Sequence, residues 1–318
     1  MSVFTNVSET DARTLLEHYS LGDLERLEGI AQGVENTNYF LTTTTGEYVL
    51  TLFEHIPPAD IPFYVGLMDH LSHHEVTCPE PMRMDDADAT MIAHVNGKPA
   101  IIVSRLRGAP RTKPDEHDCR AAGRILAGVH VAAVDYDASL ENQRGREWRE
   151  SFAEAVLPKV PRAHGELIES ENRYQGMHDD AVLPQGIIHG DFFHDNVLWD
   201  EDGEGGVIDF YFACDDAVLY DVAIAVNDSC VNEDATLDHR RARAFIHGYS
   251  ELRPLESFER ELWPVMLRRA ALRTWLGRLG YNYFPRDSHM TIPKDHEFSR
   301  RLLEHHIAHA RALADTLD

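Results

Sequence analysis

The chain has 318 residues, with 30 Lys and Arg against 54 Asp and Glu, which gives a formal net charge of −24. The hydrophobic fraction of 43% is sufficient for a folded core, so global disorder is excluded. A strongly acidic chain repels a phosphate backbone, so we predict no nucleic-acid partner. No apolar run approaches the roughly 18 residues that a membrane span needs, so we predict no membrane partner either.

Two further features predict a cytoplasmic protein. The first residues, MSVFTNVSETDAR, contain no basic segment followed by an apolar one, so no secretory signal is expected. The four cysteines are not spaced as CxxC, which argues against a zinc ribbon or a thioredoxin-like site. We therefore expect reduced thiols.

The N-terminal third of the chain predicts an antiparallel sheet of five strands with one inserted helix. Ser8 followed by Asp11 is typical of a helix cap. Three strands are expected in DLERLEGI, NTNYFLTT and YVLTLFE, and Pro62 suits the first turn of the inserted helix. Asn96-Gly97 lies between two apolar runs, which is a strong hairpin signal and supplies the last two strands.

The pattern changes at Arg107-Gly108-Ala109-Pro110, which predicts a hinge. Helical periodicity dominates beyond it, over about 115–133, 147–157, 162–175, 216–228, 238–250, 258–282 and 295–315. A short β segment, GIIHGD, NVLWD and GVIDF, interrupts these helices. The sequence therefore predicts an α+β chain with a nucleotide-binding lobe at 1–106 and a catalytic, substrate-binding lobe at 107–318.

The most informative stretch is IIHGDFFHDNVLWDEDGEGGVIDF. A hairpin centred between Asp202 and Gly203 would place Asn196 opposite Asp209. Asp191 lies five residues before Asn196, on the loop that leads into the first strand. Three oxygen-bearing side chains are therefore expected at the open end of one hairpin.

That arrangement suits phosphoryl transfer. Mg²⁺ prefers hard oxygen ligands, and Asn196 and Asp209 would provide them. Asp191 would then accept the proton of the attacking hydroxyl. An Asp base, an Asn five residues later and a second Asp downstream also form the protein-kinase pattern. Any one of these residues is more often a turn former, but their joint spacing after a sheet-rich lobe is far more specific.

The motif HGDFFHDNVLW…VIDF resembles that of the aminoglycoside-phosphotransferase-like kinases, a branch of the protein-kinase-like fold. The segments QGVENTNYFLTT, GEYVLTLFE and DFYFACDDAVLYDVAIAVND resemble the homoserine-kinase branch, and the similarity spans nearly the whole chain. The resemblance implies a bilobal fold. It also implies transfer of the ATP γ-phosphate to the side-chain hydroxyl of L-homoserine, giving O-phospho-L-homoserine for threonine biosynthesis.

The resemblance also implies roles for individual residues. Asp191 would be the catalytic base, and Asn196 and Asp209 would bind Mg²⁺. His189 would be a structural member of the catalytic loop. Asp221 either braces that loop or is an ordinary carboxylate at a helix start.

The resemblance further implies that Gly33 and the segment Asn36-Thr37-Asn38 form the loop over the nucleotide phosphates. Kinases usually carry a Lys on the third strand, where this chain has Thr51. The sequence therefore leaves open which cationic side chain would bind the nucleotide phosphates. Lys98 and Arg105 are candidates, although solvated strand ends are the favoured interpretation of both.

A substrate carboxylate needs a cation, and a guanidinium binds it in a bidentate manner. Arg144, Arg146, Arg273 and Arg278 lie in segments that resemble the family, and the spacing does not choose among them.

Three alternatives stay open at this point. The first is a kinase of the same fold for an aminoglycoside, choline, methylthioribose or hydroxylysine. The second is a nucleotide-binding pseudokinase, which the loss of the strand Lys at Thr51 favours. The third is a metallohydrolase with His189 and His194 as zinc ligands.

Overall fold

The computed structural model describes residues 4–30, 36–178, 182–284 and 295–317. This part of the chain divides into two compact units, the first ending at Arg107 and the second beginning at Gly108. The functional division into lobes at 106/107 stays a prediction. No helix within the described ranges is long and apolar enough to cross a membrane.

The first unit contains the predicted antiparallel sheet. Its five strands lie in the order β1-β2-β3-β5-β4, which confirms the expected number of strands. The elements are α1 (Glu9–Leu16), β1 (Leu24–Gly29), β2 (Thr37–Thr43), β3 (Glu47–Leu52), α2 (Ile61–Ser72), β4 (Ala93–Val95) and β5 (Lys98–Ser104).

Local chemistry explains where these elements begin and turn. Ser8 caps α1 by accepting from the Asp11 backbone N–H, and the Asp11 side chain accepts from the Ser8 backbone in return. Asn96 and Gly97 both adopt positive φ values, 51° and 79°. Two successive left-handed residues form the tight turn that matches strand twist, so the predicted β4–β5 hairpin is confirmed.

The second unit is mostly helical, as predicted, with two small sheets. Strand β7 pairs with β10, and β6, β8 and β9 form a three-stranded sheet. The strands are β6 (Ala109–Pro110), β7 (Gln185–Ile188), β8 (Val197–Trp199), β9 (Gly205–Val207) and β10 (Cys214–Ala217). The helices are α3 (Glu116–Ala132), α4 (Arg146–Val156), α5 (Arg162–Gly176), α6 (Val218–Ser229), α7 (His239–Ser250), α8 (Ser257–Tyr283), α9 (His296–Ala308) and α10 (Ala310–Leu313).

Two predicted helices have different bounds in the structure. The helix expected over 216–228 begins at Val218, because the residues just before it form β10 and pair with β7. The helix expected over 295–315 ends at Ala308, because the backbone of His309 leaves the helical region at φ −115° and ψ 21°. Both errors concern boundaries, which are the least predictable part of an element. For the first helix, pairing of β10 with a distant strand leaves no local signal.

The four cysteines, Cys78, Cys119, Cys214 and Cys230, are free and buried. This confirms the predicted thiols. The closest pair is Cys119 and Cys230, whose sulfur atoms lie 3.7 Å apart in the core of the second unit.

One buried histidine links α9 to the centre of the second unit. The His306 side chain is fully buried, and its Nε2 lies 2.8 Å from the Asn227 Oδ1. The Asn227 amide nitrogen donates to the Leu267 carbonyl, so its oxygen must accept from His306. Burial lowers the pKa of His306 from 6.5 to about 3, so the ring is neutral in the folded protein.

This histidine predicts a loss of stability in acid. The unfolded chain takes up a proton at His306 near pH 6.5, whereas the folded chain takes it up only near pH 3. The contribution of His306 to the free energy of unfolding is therefore at its full value above pH 6.5. It falls by about 1.4 kcal/mol per pH unit as the pH drops from 6.5 to about 3. We expect His306→Gln to flatten the pH dependence of the free energy of unfolding, measured by urea denaturation. The exposed His117→Gln serves as the control, and an unchanged slope in His306→Gln would contradict the assignment.

Candidate active site

The β8–β9 hairpin has a register that differs by one residue from the predicted one. Val197 pairs with Val207 and Leu198 with Gly206. The Ile208 N–H donates to the Asn196 carbonyl at 3.0 Å, so Asn196 lies opposite residue 208. The prediction that Asn196 faces Asp209 was therefore wrong.

The turn explains the shift. The Asp200 N–H donates to the Glu204 carbonyl at 3.0 Å, and the Gly203 N–H donates to the Asp200 carbonyl at 3.2 Å. Gly203 has a φ of 83°, the left-handed conformation that closes a three-residue hairpin loop. The predicted register assumed a loop with an even number of residues, whose centre lies between Asp202 and Gly203. The observed loop has three residues, so its central residue is Asp202.

Asp209 has an unusual backbone conformation. Its φ of 67° is in the left-handed region, which is uncommon for any residue other than glycine. Strand β9 ends at Val207, so Asp209 does not continue the alternation of the strand. Asp209 is exposed and directly follows Ile208, the backbone partner of Asn196. The candidate metal ligands therefore occupy adjacent positions at the open end of the hairpin.

His189 fixes the loop that precedes the hairpin. It is fully buried, its Nε2 lies 2.9 Å from the Ile208 carbonyl, and its Nδ1 accepts from the Asp191 N–H at 3.2 Å. An accepting Nδ1 requires a neutral ring with the proton on Nε2. Burial lowers the pKa of His189, which is consistent with that neutral form. The predicted structural role of His189 fits these contacts.

The Asp221 carboxylate braces the same loop. It accepts from the backbone N–H groups of His189 at 2.7 Å and Gly190 at 3.0 Å, and it lies 3.0 Å from the His130 Nε2. Burial alone raises the pKa of Asp221, but the His130 hydrogen bond and charge and the backbone donor lower it overall. Of the two interpretations of Asp221, the structure supports the brace.

Gly190 is required at its position for two reasons. Its φ is 73°, and a Cβ there would lie 2.4 Å from the Phe212 carbonyl oxygen. A side chain would therefore be strained by its conformation and would also collide with fixed backbone. The HGD motif thus combines a buried hydrogen-bonding ring, a left-handed glycine and the candidate base.

Asp191 lies beside an amide and a cation. The Asn196 Nδ2 donates to the Asp191 carbonyl at 2.9 Å and is 3.4 Å from its Oδ2. The Arg273 Nη2 lies 3.6 Å from the Asp191 Oδ1 and donates to the Gly190 carbonyl at 2.7 Å. Burial raises the pKa of Asp191, while the charges of Arg273 and Arg144 oppose the rise. A carboxylate with a raised pKa is a better proton acceptor.

The donor set fits a hard divalent cation. Because the Asn196 Nδ2 donates to Asp191, the Oδ1 is the atom left to ligate, and no described residue donates to it. A carboxylate at Asp209 and an amide oxygen at Asn196 are ligands that Mg²⁺ accepts together with phosphate oxygens and water. The loop and the hairpin that follows it would supply a base and an oxygen-ligand site, which are the parts that phosphoryl transfer needs.

In the first unit, Gly33 lies outside the described residues. Asn36 is buried, and its Oδ1 has no hydrogen-bond partner among the residues that the structure describes. The Asn38 Oδ1 accepts from the Thr51 hydroxyl at 2.7 Å, across the β2–β3 pair. Thr51, at the place of the usual strand lysine, is therefore held by a neighbouring strand.

The two candidate phosphate cations differ. Arg105 lies at a strand end, where it pairs with Glu47 at 3.1 Å and covers the Phe40 ring. The Lys98 Nζ lies 3.3 Å from the carboxylate of Glu54, whose side chain is only 4% exposed. Lys98 is the first residue of β5 and its side chain is 39% exposed, so it is a partly solvated strand end whose ammonium also pairs with the buried Glu54 carboxylate.

The predicted candidates for the substrate carboxylate have other contacts. Arg144 lies over the Phe212 ring, Arg146 pairs with Glu150, Arg273 binds the Gly190 carbonyl, and Arg278 donates to the Asp295 carbonyl.

Arg149, which was not among the predicted candidates, is 5% exposed. It lies on the buried face of α4, four and seven residues before Ala153 and Val156. The sequence signal for Arg149 is its position at helical spacing from apolar residues of the same helix.

The zinc alternative is wrong. Both ring nitrogens of His189 are engaged by the backbone, and the His194 Nδ1 lies 2.7 Å from the Asp228 carboxylate. Within the described ranges, the one group of three or more His, Cys, Asp and Glu side chains with metal-like spacing is Asp115, His117 and Asp118. Asp115 and Asp118 form the capping box of α3, so this cluster has a structural explanation.

Comparison with known proteins gives a consistent result. The model of the phosphotransferase enzyme family matches residues 26–255. A homoserine kinase of Methylobacillus flagellatus is 46% identical over 308 residues, covering 97% of this chain and 96% of that protein. A homoserine kinase of Burkholderia mallei is 41% identical over 329 residues, covering 99% of each. Among solved structures, an amicoumacin kinase in complex with AMP-PNP and Ca²⁺ has a TM-score of 0.71 at 14% identity, covering 98% of this chain and 94% of that one.

The brace at Asp221 makes a stability prediction. In Asp221→Asn one carboxylate oxygen becomes an NH₂ group, which cannot accept from the N–H groups that now point at Asp221. Because the site is fully buried, we expect the free energy of unfolding to fall by roughly 3 kcal/mol. Denaturant unfolding measures this, with the exposed Asp137→Asn as control. A loss no larger than in Asp137→Asn would contradict the bracing role.

Proposed function

The chain belongs to the phosphotransferase enzyme family, and from that premise we propose that it is an ATP-dependent homoserine kinase. The resemblance predicted from HGDFFHDNVLW and the α+β, kinase-like fold are thereby confirmed. The observation that carries the proposal is a half-buried Asp191 beside the Asn196 amide, in a chain that matches homoserine kinases over nearly its full length. The reaction converts L-homoserine and ATP to O-phospho-L-homoserine and ADP, a step of threonine biosynthesis.

Asp191 acts as the general base in this proposal. Its carboxylate accepts the proton of the homoserine side-chain hydroxyl as that oxygen attacks the γ-phosphorus, and ADP leaves with the electrons of the broken P–O bond. Burial raises the pKa of Asp191 and so increases its basicity, although the Arg273 charge limits the rise. Arg273 also fixes the Gly190 carbonyl, so it orients the loop that presents the base.

The Asn196 amide oxygen and the Asp209 carboxylate would hold Mg²⁺. When bound there, Mg²⁺ neutralises phosphate charge during transfer. Asn196 has a second task, because its Nδ2 donates to Asp191 and so sets both the base and the outward-facing oxygen. In the first unit, the segment through Gly33, Asn36 and Asn38 would contact the nucleotide phosphates. The Asn36 Oδ1 is an acceptor, so a phosphate there would bind amide and backbone N–H donors of the segment and not this oxygen.

We also propose a cytoplasmic location, where ATP and reduced thiols are both maintained. The four free cysteines support it.

The substrate is tested with purified protein, ATP and Mg²⁺ in a coupled assay of ADP release. We expect turnover with L-homoserine well above that with choline, hydroxylysine, methylthioribose or an aminoglycoside, and a mass increase of one phosphoryl group on homoserine. A reaction without acceptor gives the background rate. Turnover with another compound and none with homoserine would overturn the narrow assignment. Nucleotide binding without transfer to any acceptor would favour a pseudokinase.

The role of Asp191 is tested by Asp191→Asn. We expect kcat to fall by about 10²–10⁴-fold, because the proton acceptor is lost while the shape is kept. Nucleotide binding, measured by calorimetry, should remain close to wild type. Asp202→Asn, at the exposed tip of the β8–β9 hairpin, is the matched control and should keep full activity. An unchanged kcat in Asp191→Asn would refute the assignment of the base.

A further inference from the structure

Arg149 is a buried cation with no carboxylate partner among the residues that the structure describes. It is 5% exposed, and its Nε donates to the Asn172 Oδ1 at 3.3 Å. Its terminal N–H groups donate to none of the residues that the structure describes, and no carboxylate in those ranges lies within ion-pair distance. Burial and the nearby charge of Arg269 lower the pKa of Arg149. A buried guanidinium with free donors is costly, and a bound anion would remove most of that cost.

Tyr220 is a second buried group with an unused polar atom. The residue is 4% exposed, and its hydroxyl forms no hydrogen bond with any described residue. The charges of Arg273, Arg269 and Arg149 all lie close enough to Tyr220 to interact with it electrostatically. A phenolic O–H and a guanidinium, both available as donors in one buried region, form a natural site for an anion.

This region leads directly to the candidate base. Arg269 and Arg273 are one turn apart on α8, so their side chains lie on the same face. Arg273 contacts Asp191 at 3.6 Å, and Arg269 is near enough to Arg149 to affect its pKa. Arg149 and Arg269 donate to Asn172 and Gln175, which are three residues apart on α5, so both cations are held by the same helix. A small amino acid with its hydroxyl at Asp191 would direct its carboxylate toward these arginines.

We propose that Arg149 binds the carboxylate of the amino-acid substrate, with the Tyr220 hydroxyl as a second donor. The inference rests on the proposed homoserine kinase function. Arg149 is suited to the task because a guanidinium binds both oxygens of a carboxylate in a planar, bidentate arrangement. Asn172 holds the Nε and so fixes the orientation of the guanidinium while its terminal nitrogens stay available. Arg149 thus selects amino-acid acceptors over simple alcohols.

The test compares two acceptors that differ in the carboxylate. L-Homoserine and 3-aminopropan-1-ol share the hydroxyl and the amine, but only homoserine carries a carboxylate. In wild type we expect a strong preference in kcat/KM for homoserine. In Arg149→Met the KM for homoserine should rise on the order of 100-fold, with a much smaller change in kcat and an unchanged KM for ATP. The KM for 3-aminopropan-1-ol should barely change, so the preference collapses.

Further variants separate binding from folding. Arg149→Lys keeps the charge but loses the planar fork, so its preference should be intermediate. Tyr220→Phe should weaken homoserine binding several-fold. Arg162→Met, an exposed arginine on α5, is the control and should match wild type. If Arg149→Met does not fold, Arg149→Lys and Tyr220→Phe carry the test.

The outcomes distinguish this inference from the function on which it rests. A purely structural role for Arg149 would lower activity with both acceptors equally and leave their ratio unchanged, which would overturn the inference while homoserine turnover in wild type stands. A wild-type enzyme without preference for homoserine over 3-aminopropan-1-ol would overturn it as well. Absence of homoserine turnover in wild type would instead refute the proposed function.

Discussion

One buried carboxylate holds the candidate active site in place. Asp221 accepts hydrogen bonds from the backbone N–H groups of His189 and Gly190, and its third neighbour is the His130 ring. The other ring nitrogen of His130 lies 2.7 Å from the Tyr249 hydroxyl, which extends the network into α7. Because the site excludes water, none of these donors has an alternative acceptor, and the two peptide planes before Asp191 have one orientation. The position of the candidate base, Asp191, therefore follows from a side chain thirty residues further along the chain.

Much of this arrangement was predictable, because it rests on short-range patterns. The Asn96-Gly97 turn, the Ser8 cap and the five strands of the first unit each follow from residues that are close in sequence. The spacing of Asp191 and Asn196 also reports a local structure, since the two residues belong to one loop and the strand that follows it. These features depend on backbone conformations that particular residue types favour, so their signals survive without tertiary information.

The features that escaped prediction depend on long-range packing or on a single backbone angle. The β8–β9 register shifted by one because a left-handed Gly203 makes an odd loop, which the letters EDGEGG do not distinguish from an even one. Strand β10 forms because the chain returns at this point to pair with β7. Arg149 was overlooked because arginine is usually a surface residue, and its burial becomes significant only once the structure shows that no described carboxylate lies within ion-pair distance of it.

The left-handed backbone of Asp209 restricts how this position can evolve. A non-glycine residue pays roughly 1 kcal/mol or more for that conformation, and the short polar side chains of Asp and Asn tolerate it best. Glu would lengthen the reach and increase the strain, Asn would remove the charge, and Gly would remove the ligand. If Asp209 holds Mg²⁺ as proposed, aspartate meets the conformational and the chemical demand together.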